Sequence, residues 1–447
     1  MPAVYPFRAV QFRGGKGDVS TVVAPPYDVL DATAKNALLA LDRHNIVAID
    51  LPHTPAKELG PPEAYANAAA AYRAWLTEGA LVRRERPAMF AYRHSFQFRG
   101  KRYQRCGMAC TVETLPFGPR PGGGILPHEQ TFSGPKEDRL ALMKTTKAQL
   151  SPIFGLHADA SGRGTAIVHK AMATRAPDMT AKMSDGWLHE VWTIEDEATV
   201  RDYTDALAGE DIFIADGHHR YTTGLNYLQH LESQGPVPAG HGVRRCMMVL
   251  VGMSDPGLAI GPTHRVLGGM KDYSFAAFTE ATRGILDIAP IGKDAKLIEP
   301  AMEKAGAGGS NVFGLLDFAT GQCAVATLVA RDPLAARFGS KPKAWRDLDV
   351  AIIQHLLVEE ICQPKLNAGQ PVTWAFPHSV EEVLDIGKGR ETGSGGGAGF
   401  AQLAVIVRPT PLESVRAVSA ANELMPQKST FFYPKLATGL VFHPLYP

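Results

Sequence analysis

Apolar and polar positions along the chain switch between two periods, and the switches predict its elements. Alternation runs through "AMFAYRHSFQFRG" and "KRYQRCGMACTVETL", and the break at Arg99-Gly100-Lys101 reads as the turn of a β-hairpin. The shorter runs "SPIFGLHA", "HEVWTI", "EDIFIA" and the start of "LAIGPTHRVLGG" also read as strands. "CMMVLVGM" (246–253) is apolar throughout, which predicts a strand buried on both faces, and it is far too short to span a bilayer. A period near 3.6 marks "PPEAYANAAAAYRAWLTEGALVRR", where Tyr65, Tyr72, Trp75 and Leu76 fall at helical spacing and Gly79 is placed as a cap. Helices are also predicted near 136–147, near 164–175 and immediately after "ADG". "TVVAPPYDVL" reads as a short strand entering a Pro-Pro turn. Beyond about residue 270 helix and strand alternate, and "GKGRETGSGGGAGF" (387–400) is a glycine-rich loop serving as a hairpin or crossover connection. The closing run "NELMPQKSTFFYPKLATGLVFHPLYP" is too apolar to fray and is expected to pack onto the body.

This order of elements implies a mixed α/β (α+β) fold. Three segments are expected: an N-terminal α/β segment over 1–120, a core over 121–270 and a C-terminal α/β segment over 271–447. With 33 prolines and 44 glycines the chain is no helical bundle or repeat array. A formal net charge of +1 supplies no bulk attraction to nucleic acid or anionic lipid, so neither is expected as a partner. The five cysteines are scattered, with no C-x-x-C, which excludes a disulfide framework or zinc ribbon. Cys106 and Cys110, four apart in a strand, are read as core residues on one face. "MPAVYPFRAVQFRGGKGDVS" has no apolar leader segment, so the cytoplasm is the expected location.

Candidate chemistry concentrates at "FIADGHHRYTTGLNYL", a strand-to-helix corner. Gly217 permits the tight turn, and His218, His219 and Arg220 then fall in the first helical turn. Backbone N–H groups and the helix dipole favour an anion there, so cationic side chains in that turn oppose the dipole unless an anion such as phosphate docks on them. Asp216 alone also reads as an ordinary N-cap. No metal is assigned: adjacent helical residues project about 100° apart, which leaves His218 and His219 badly placed to share a zinc ion. In "ILPHEQTFSGPKEDRLALMK", Lys136, Arg139 and Lys144 fall on one helix face, either as an anion-facing stripe or as a solvated, charge-laced surface. In the same stretch, His128, Glu129 and Thr131 sit in a loop, where a carboxylate beside an imidazole suits a general base or a magnesium ligand. His264 and Arg265 of "PTHR" lie at a strand end, where open α/β sheets place ligands. "MPQKSTFFYPK" offers Lys428 and Lys435 but lacks the glycines of a P-loop. In "APPYDV", Tyr27 and Asp28 read as a rigid turn or as site-lining residues. A G-x-S-x-G nucleophile elbow is absent.

The blocks "APPYDV", "HEQT…KEDR", "SPIF", "ADGHHRY", "PTHR" and "MPQKSTFFYPKLATGL", in this order, resemble a widespread prokaryotic family. It is a domain-of-unknown-function family related to free-serine kinase and the ParB/sulfiredoxin superfamily. The resemblance implies a ParB/sulfiredoxin-like core, with Asp216, Gly217, His218, His219 and Arg220 matching the phosphate-cradling corner and Glu129 matching the catalytic glutamate. One departure is Pro127, where the family carries a basic residue before His-Glu.

On this reading the protein is a phosphoryl-transfer enzyme acting on a small hydroxylated metabolite, with free serine or phosphoserine first among substrates. Its cofactors would be magnesium and a nucleotide (ADP, ATP or CTP). The catalytic candidates are Asp216, Glu129 and His219. The phosphate- and nucleotide-binding candidates are Gly217, His218, Arg220, Lys136, Arg139, His264, Arg265, Lys428 and Lys435, while His128, Thr131, Tyr27 and Asp28 line the substrate. Two other readings stand beside it: a ParB-type nucleotide switch driven by CTP or ATP, and a phosphate-ester hydrolase.

Overall fold

A computed structural model describes residues 2–56, 58–129, 134–390 and 395–446, without the side chains of 134–136. The fold is mixed α/β, and the chain divides into two compact units, Met1–Ala259 with Phe432–Pro447, and Ile260–Phe431. The expected boundary near residue 120 therefore falls inside the first unit. The reason is strand pairing: Lys101–Glu113 bonds directly to Arg245–Gly252, which ties the first expected segment into the same sheet as the second.

In the first unit a ten-stranded mixed sheet, counted among the described residues, holds the core. From one edge it runs Gly17–Asp18, Met179–Lys182, Leu188–Ile194, Met89–Phe98, Lys101–Glu113, Arg245–Gly252, Ile153–His157, Ile212–Asp216 and Ile125–Leu126, and Val4–Tyr5 also pairs with Lys101–Glu113. The predicted hairpin forms with Phe98 opposite Lys101, across Arg99 (φ 50°) and Gly100 (φ 77°). Two successive left-handed residues match the strand twist, which is why the pair Arg-Gly closes it. Arg245–Gly252 is buried from Cys246 onward, as its unbroken apolar run requires.

Helix Pro62–Thr77 buries Tyr65, Tyr72 and Trp75, while Leu76 is only half-buried. It packs on helix Gly134–Thr146, which packs in turn on His218–Glu232. The expected strand in "TVVAPPYDVL" does not form. Ala24 makes one isolated bridge to Thr438, and a single 3-10 turn spans Tyr27–Val29. Pro25 and Pro26 lack the N–H groups a ladder needs. The C-terminal run packs inward as predicted: Val10 bridges Phe442, His443–Pro444 pairs with Ala148–Gln149, and Leu436 through Leu445 are almost wholly buried.

The second unit is a six-stranded antiparallel sheet among the described residues, ordered Leu286–Gly292, Cys323–Leu328, Val312–Asp317, Ala401–Ile406, Arg265–Gly268 and Thr373–Ala375. Its core is built around Phe313, Leu315, Leu357 and Leu403. The glycine-rich segment joins helix Val380–Gly387 to strand Ala401–Ile406, so it is a helix-to-strand connection and not a hairpin. All five cysteines are buried and unpaired with one another. No helix among the described residues is long and apolar enough to cross a membrane.

Candidate functional site

The corner is assembled by one parallel strand pair. Ile212–Asp216 lies beside Ile125–Leu126, with Ile212 opposite Ile125 and Phe213 opposite Leu126. Parallel strands end on the same side, so the chain leaving Leu126 delivers His128 and Glu129 beside the chain leaving Asp216. Nothing local to either segment encodes that meeting.

Two imidazoles lock it. His128 donates from Nδ1 to the carbonyl oxygen of Ile214 at 2.8 Å. Its backbone N–H donates to Nε2 of His218 at 3.4 Å, and the rings stand edge to face with centroids 4.7 Å apart. Because His218 Nε2 accepts, its proton resides on Nδ1, which faces Glu129 Oε1 across 3.9 Å. Burial holds the pKa of His218 well below its ordinary value, with His128, His219 and Arg220 adding like-charge opposition. Burial lowers His128 too, against the pull of Glu129. Both rings are therefore neutral at pH 7.

This corrects the expectation of three cations in the first helical turn. His218 is buried and neutral, His219 is half-buried, and Arg220 is already paired. Arg220 donates to Asp216 Oδ2 and to the carbonyl oxygen of Pro152. Asp216 is thus not a helix cap. The helix His218–Glu232 begins at Gly217 (φ 94°), an N-cap residue with no side chain to cap it. A Cβ at Gly217 would sit 3.0 Å from the guanidinium of Arg220, so glycine is required both for the turn and for the close approach.

Lys435, carried in by the returning tail, bonds Asp28 Oδ2 and lies 3.7 Å from Asp216 Oδ1. The ammonium is stabilised in its charged form: burial opposes the charge, but the pull of Asp216 and Asp28 outweighs it. Asp28, Lys435, Asp216 and Arg220 consequently form an alternating line of charge. With Glu129 included, three carboxylates face two fixed cations.

Beside that line lies a second polar cluster. Arg139 donates to Asp50 (2.6 Å to the carbonyl oxygen, 3.2 Å to Oδ1) and to Asp138 Oδ2 at 2.8 Å, and its guanidinium stacks 3.8 Å over Tyr27. Ser151 donates to Asp50 at 2.9 Å, and Tyr65 to Asp138 at 2.8 Å. Burial raises the carboxyl pKa of Asp50 despite Arg139, and pushes the Tyr27 phenol up to about 12. Arg139 is only 6 % exposed, so the predicted anion-facing stripe with Lys136 and Lys144 is not what this helix presents. Its guanidinium neutralises two internal carboxylates. The side chain of Lys136 and all of Thr131 lie outside the described residues.

The structure brings together Asp216, Gly217, His218, His219, Arg220, His128, Glu129, Lys435 and Asp28, with Tyr27 reaching the cluster through Arg139. His264, Arg265 and Lys428 belong to the second unit. There Val407 N–H donates to His264 Nδ1 at 3.2 Å, and Arg265 donates to the carbonyl oxygens of Thr263 and Lys428. Both side chains are buried within that unit's own backbone network, and the block "MPQKSTFFYPK" is shared between units, Lys428 in one and Lys435 in the other. Asp50 and Ser151 were missed by sequence reasoning, and Asp138 and Tyr65 stood out there only as a charge and a core residue of their helices. A signal existed for Asp50, an aspartate closing the apolar run "NIVAID".

A mixed α/β protein with a helix that starts at a glycine, two neutral imidazoles and a line of alternating charge at one edge of its main sheet is the class these observations define. The chain belongs to the family described as Protein of unknown function (DUF1015), whose model matches residues 4–351. No curated protein matches. Among solved structures the chain is similar to a mutant of free serine kinase in complex with ADP, at 14% identity and TM-score 0.32, over 73% of this chain and 95% of that one. It is also similar to a conserved hypothetical protein from Pyrococcus furiosus, at 14% identity and TM-score 0.29, over 73% and 98%. A third is SbnI with C-terminal truncation from Staphylococcus aureus, at 11% identity and TM-score 0.32, over 72% and 84%.

Proposed function

We propose that this corner binds the phosphates of a magnesium–nucleotide and transfers a phosphoryl group to a small hydroxylated metabolite, with free serine the first acceptor to test. The observation that supports it most is the pairing of Glu129 with a helix start whose N-cap residue is a glycine. Gly217, the N-cap residue of His218–Glu232, has no side chain to cap the helix, and the partly exposed carboxylate of Glu129 lies 3.9 Å from His218 Nδ1. Such a terminus stabilises phosphate oxygens. With three carboxylates already facing two cations, a bare phosphate would meet net negative charge, whereas a metal-bound phosphate would not. The donor set fits magnesium in that limited sense: Glu129 offers an oxygen, while Asp216 gives its two to Arg220 and Lys435. Bound there, the ion would supply charge neutralisation between phosphate oxygens.

Glu129 takes the proton of the acceptor hydroxyl as its oxygen bonds to phosphorus and the nucleotide leaves one phosphate shorter. The neutral His218 directs its Nδ1 proton toward the carboxylate, 3.9 Å away. Arg220 and Lys435 balance charge on the transferring group, and Asp216 acts through them, as a positioning residue and not as the base. His219, half-buried beside the helix start, donates to a phosphate oxygen.

The test is a thermal-shift panel of ADP, ATP, CTP, serine and phosphoserine, alone and paired with magnesium, followed by a transfer assay on the pairs that stabilise. Stabilisation by nucleotide with serine, and phosphoserine formed, supports the proposal. Stabilisation by CTP alone without transfer favours a nucleotide switch, and phosphate release from phosphoserine without nucleotide favours a hydrolase. Either result overturns kinase chemistry here.

A further inference from the structure

At the opposite end of the main sheet, three side chains that the proposed phosphoryl transfer does not use come together beside a cavity of about 540 Å³, which two of them, Cys106 and His169, line. Strands Ile153–His157 and Arg245–Gly252 run parallel and finish together there, whereas Ile212–Asp216, antiparallel to the first, finishes at the other end. Asp255 follows Arg245–Gly252, Cys106 lies early in Lys101–Glu113, and His169 is on helix Arg163–Ala173. One atom from each, the thiol sulfur, an imidazole nitrogen and a carboxylate oxygen, lie within 4.8 Å of one another. His169 Nε2 stands 3.2 Å from Asp255 Oδ2.

The arrangement is held from outside. Asp255 is buried, and its Oδ1 accepts the N–H of Gly257 at 2.9 Å and that of Cys106 at 3.4 Å, which aims Oδ2 at His169. Asp159 accepts from the N–H groups of Gly164 and Thr165 and from the Ser254 hydroxyl at 2.6 Å. It thereby clamps the loop carrying Asp255 to the helix carrying His169. Thr165 and Ser254 share a further hydrogen bond of 2.9 Å. The loop and helix are fixed to each other before any ligand arrives.

We infer that Cys106, His169 and Asp255 bind a divalent transition metal, zinc by ligand type, leaving its fourth coordination position open to the cavity. A thiolate, an imidazole and a carboxylate are a donor set for zinc, and three protein ligands with an open position mark a site that takes an exogenous ligand. Tetrahedral zinc with bonds of about 2.0–2.3 Å needs its ligands roughly 3.5 Å apart. The group thus closes by about one ångström on binding, which rotation of the partly exposed His169 can supply. The thiol gives its proton to solvent, and the two anionic ligands then balance the ion's charge. Lys101 and Arg102 line the same cavity, so an anionic small molecule is the class of fourth ligand that fits.

The full-length protein, stripped with chelator, is titrated with cobalt(II) and separately equilibrated with zinc and desalted for metal analysis. One equivalent of zinc per chain and a thiolate-to-cobalt charge-transfer band in the near ultraviolet are expected. Cys106→Ser removes the band, Cys110→Ser keeps it, and His169→Gln weakens zinc binding roughly tenfold or more. Because His169 lies on an exposed helix face, its variant stays folded even where substitution of buried Asp255 does not. Absence of the band in the unaltered protein overturns the inference, as does its survival in Cys106→Ser.

Discussion

His128 gives its backbone N–H to the Nε2 atom of His218, 90 residues further along the chain, at 3.4 Å. That contact sets the tautomer of His218, and the separate bond from His128 Nδ1 to the Ile214 carbonyl oxygen sets that of His128. Nitrogen-detected NMR at pH 7.5 is expected to show both imidazoles neutral and both protonated on Nδ1. A cationic His218 at that pH would contradict the account of the corner.

The same physics has a consequence for stability. Burial depresses His218, His128, His94, His157, His189 (to about 3) and His443 (to about 4), against an ordinary value of 6.5. Below pH 6.5 the unfolded chain binds protons at these sites that the folded chain refuses, so stability is full above that pH and falls as pH drops toward 4. Thermal melts from pH 7.5 to 4.5 are expected to show a progressive loss of Tm. A flat profile would mean the rings are solvated.

Gly217→Ala tests the turn. A β-carbon at φ 94° costs about 1–2 kcal/mol and presses on the Arg220 guanidinium. Gly186→Ala, at φ 82° with nothing within 4 Å of the added carbon, carries the backbone cost alone. Both variants lower Tm, but only Gly217→Ala loses the nucleotide-induced thermal shift.

Arg139→Met leaves Asp50 and Asp138 buried without their cation and is expected to cost about 3–5 kcal/mol in denaturant unfolding. Lys144→Gln, half-buried on the same helix, stays within about 0.5 kcal/mol. Equal effects would restore the surface stripe that the helix sequence suggests.

Glu129→Gln keeps the side chain's shape and removes its basicity. Phosphoryl transfer is expected to fall by about 10² to 10⁴ while the nucleotide-induced shift persists. Loss of binding with no change in turnover per bound nucleotide would remove Glu129 as the base and leave it only as a magnesium ligand.

How far these sites could be read in advance differs by element. The hairpin around Arg99-Gly100, the doubly buried strand 246–252 and the helix after Gly217 were legible because each is written in spacing and turn chemistry within a dozen residues. The strand in "TVVAPPYDVL" was misread because apolar content outweighed two prolines that cannot donate. Arg139 was misread for a different reason: a helix face shows its charges but not Asp50, 89 residues away, which absorbs one of them.

Local pattern alone thus determined where most of the strongly periodic elements lie, that the fold is mixed α/β and that Asp216 through Arg220 form a strand-to-helix corner. Tertiary structure decided the chemistry of that corner. It buried His218 until it is neutral, gave Arg220 to Asp216, brought Lys435 back from the tail to Asp28, and drew Cys106, His169 and Asp255 into one cluster. Periodicity is a property of neighbours in the chain, but charge state follows from burial and from partners, and strand pairing alone selects those.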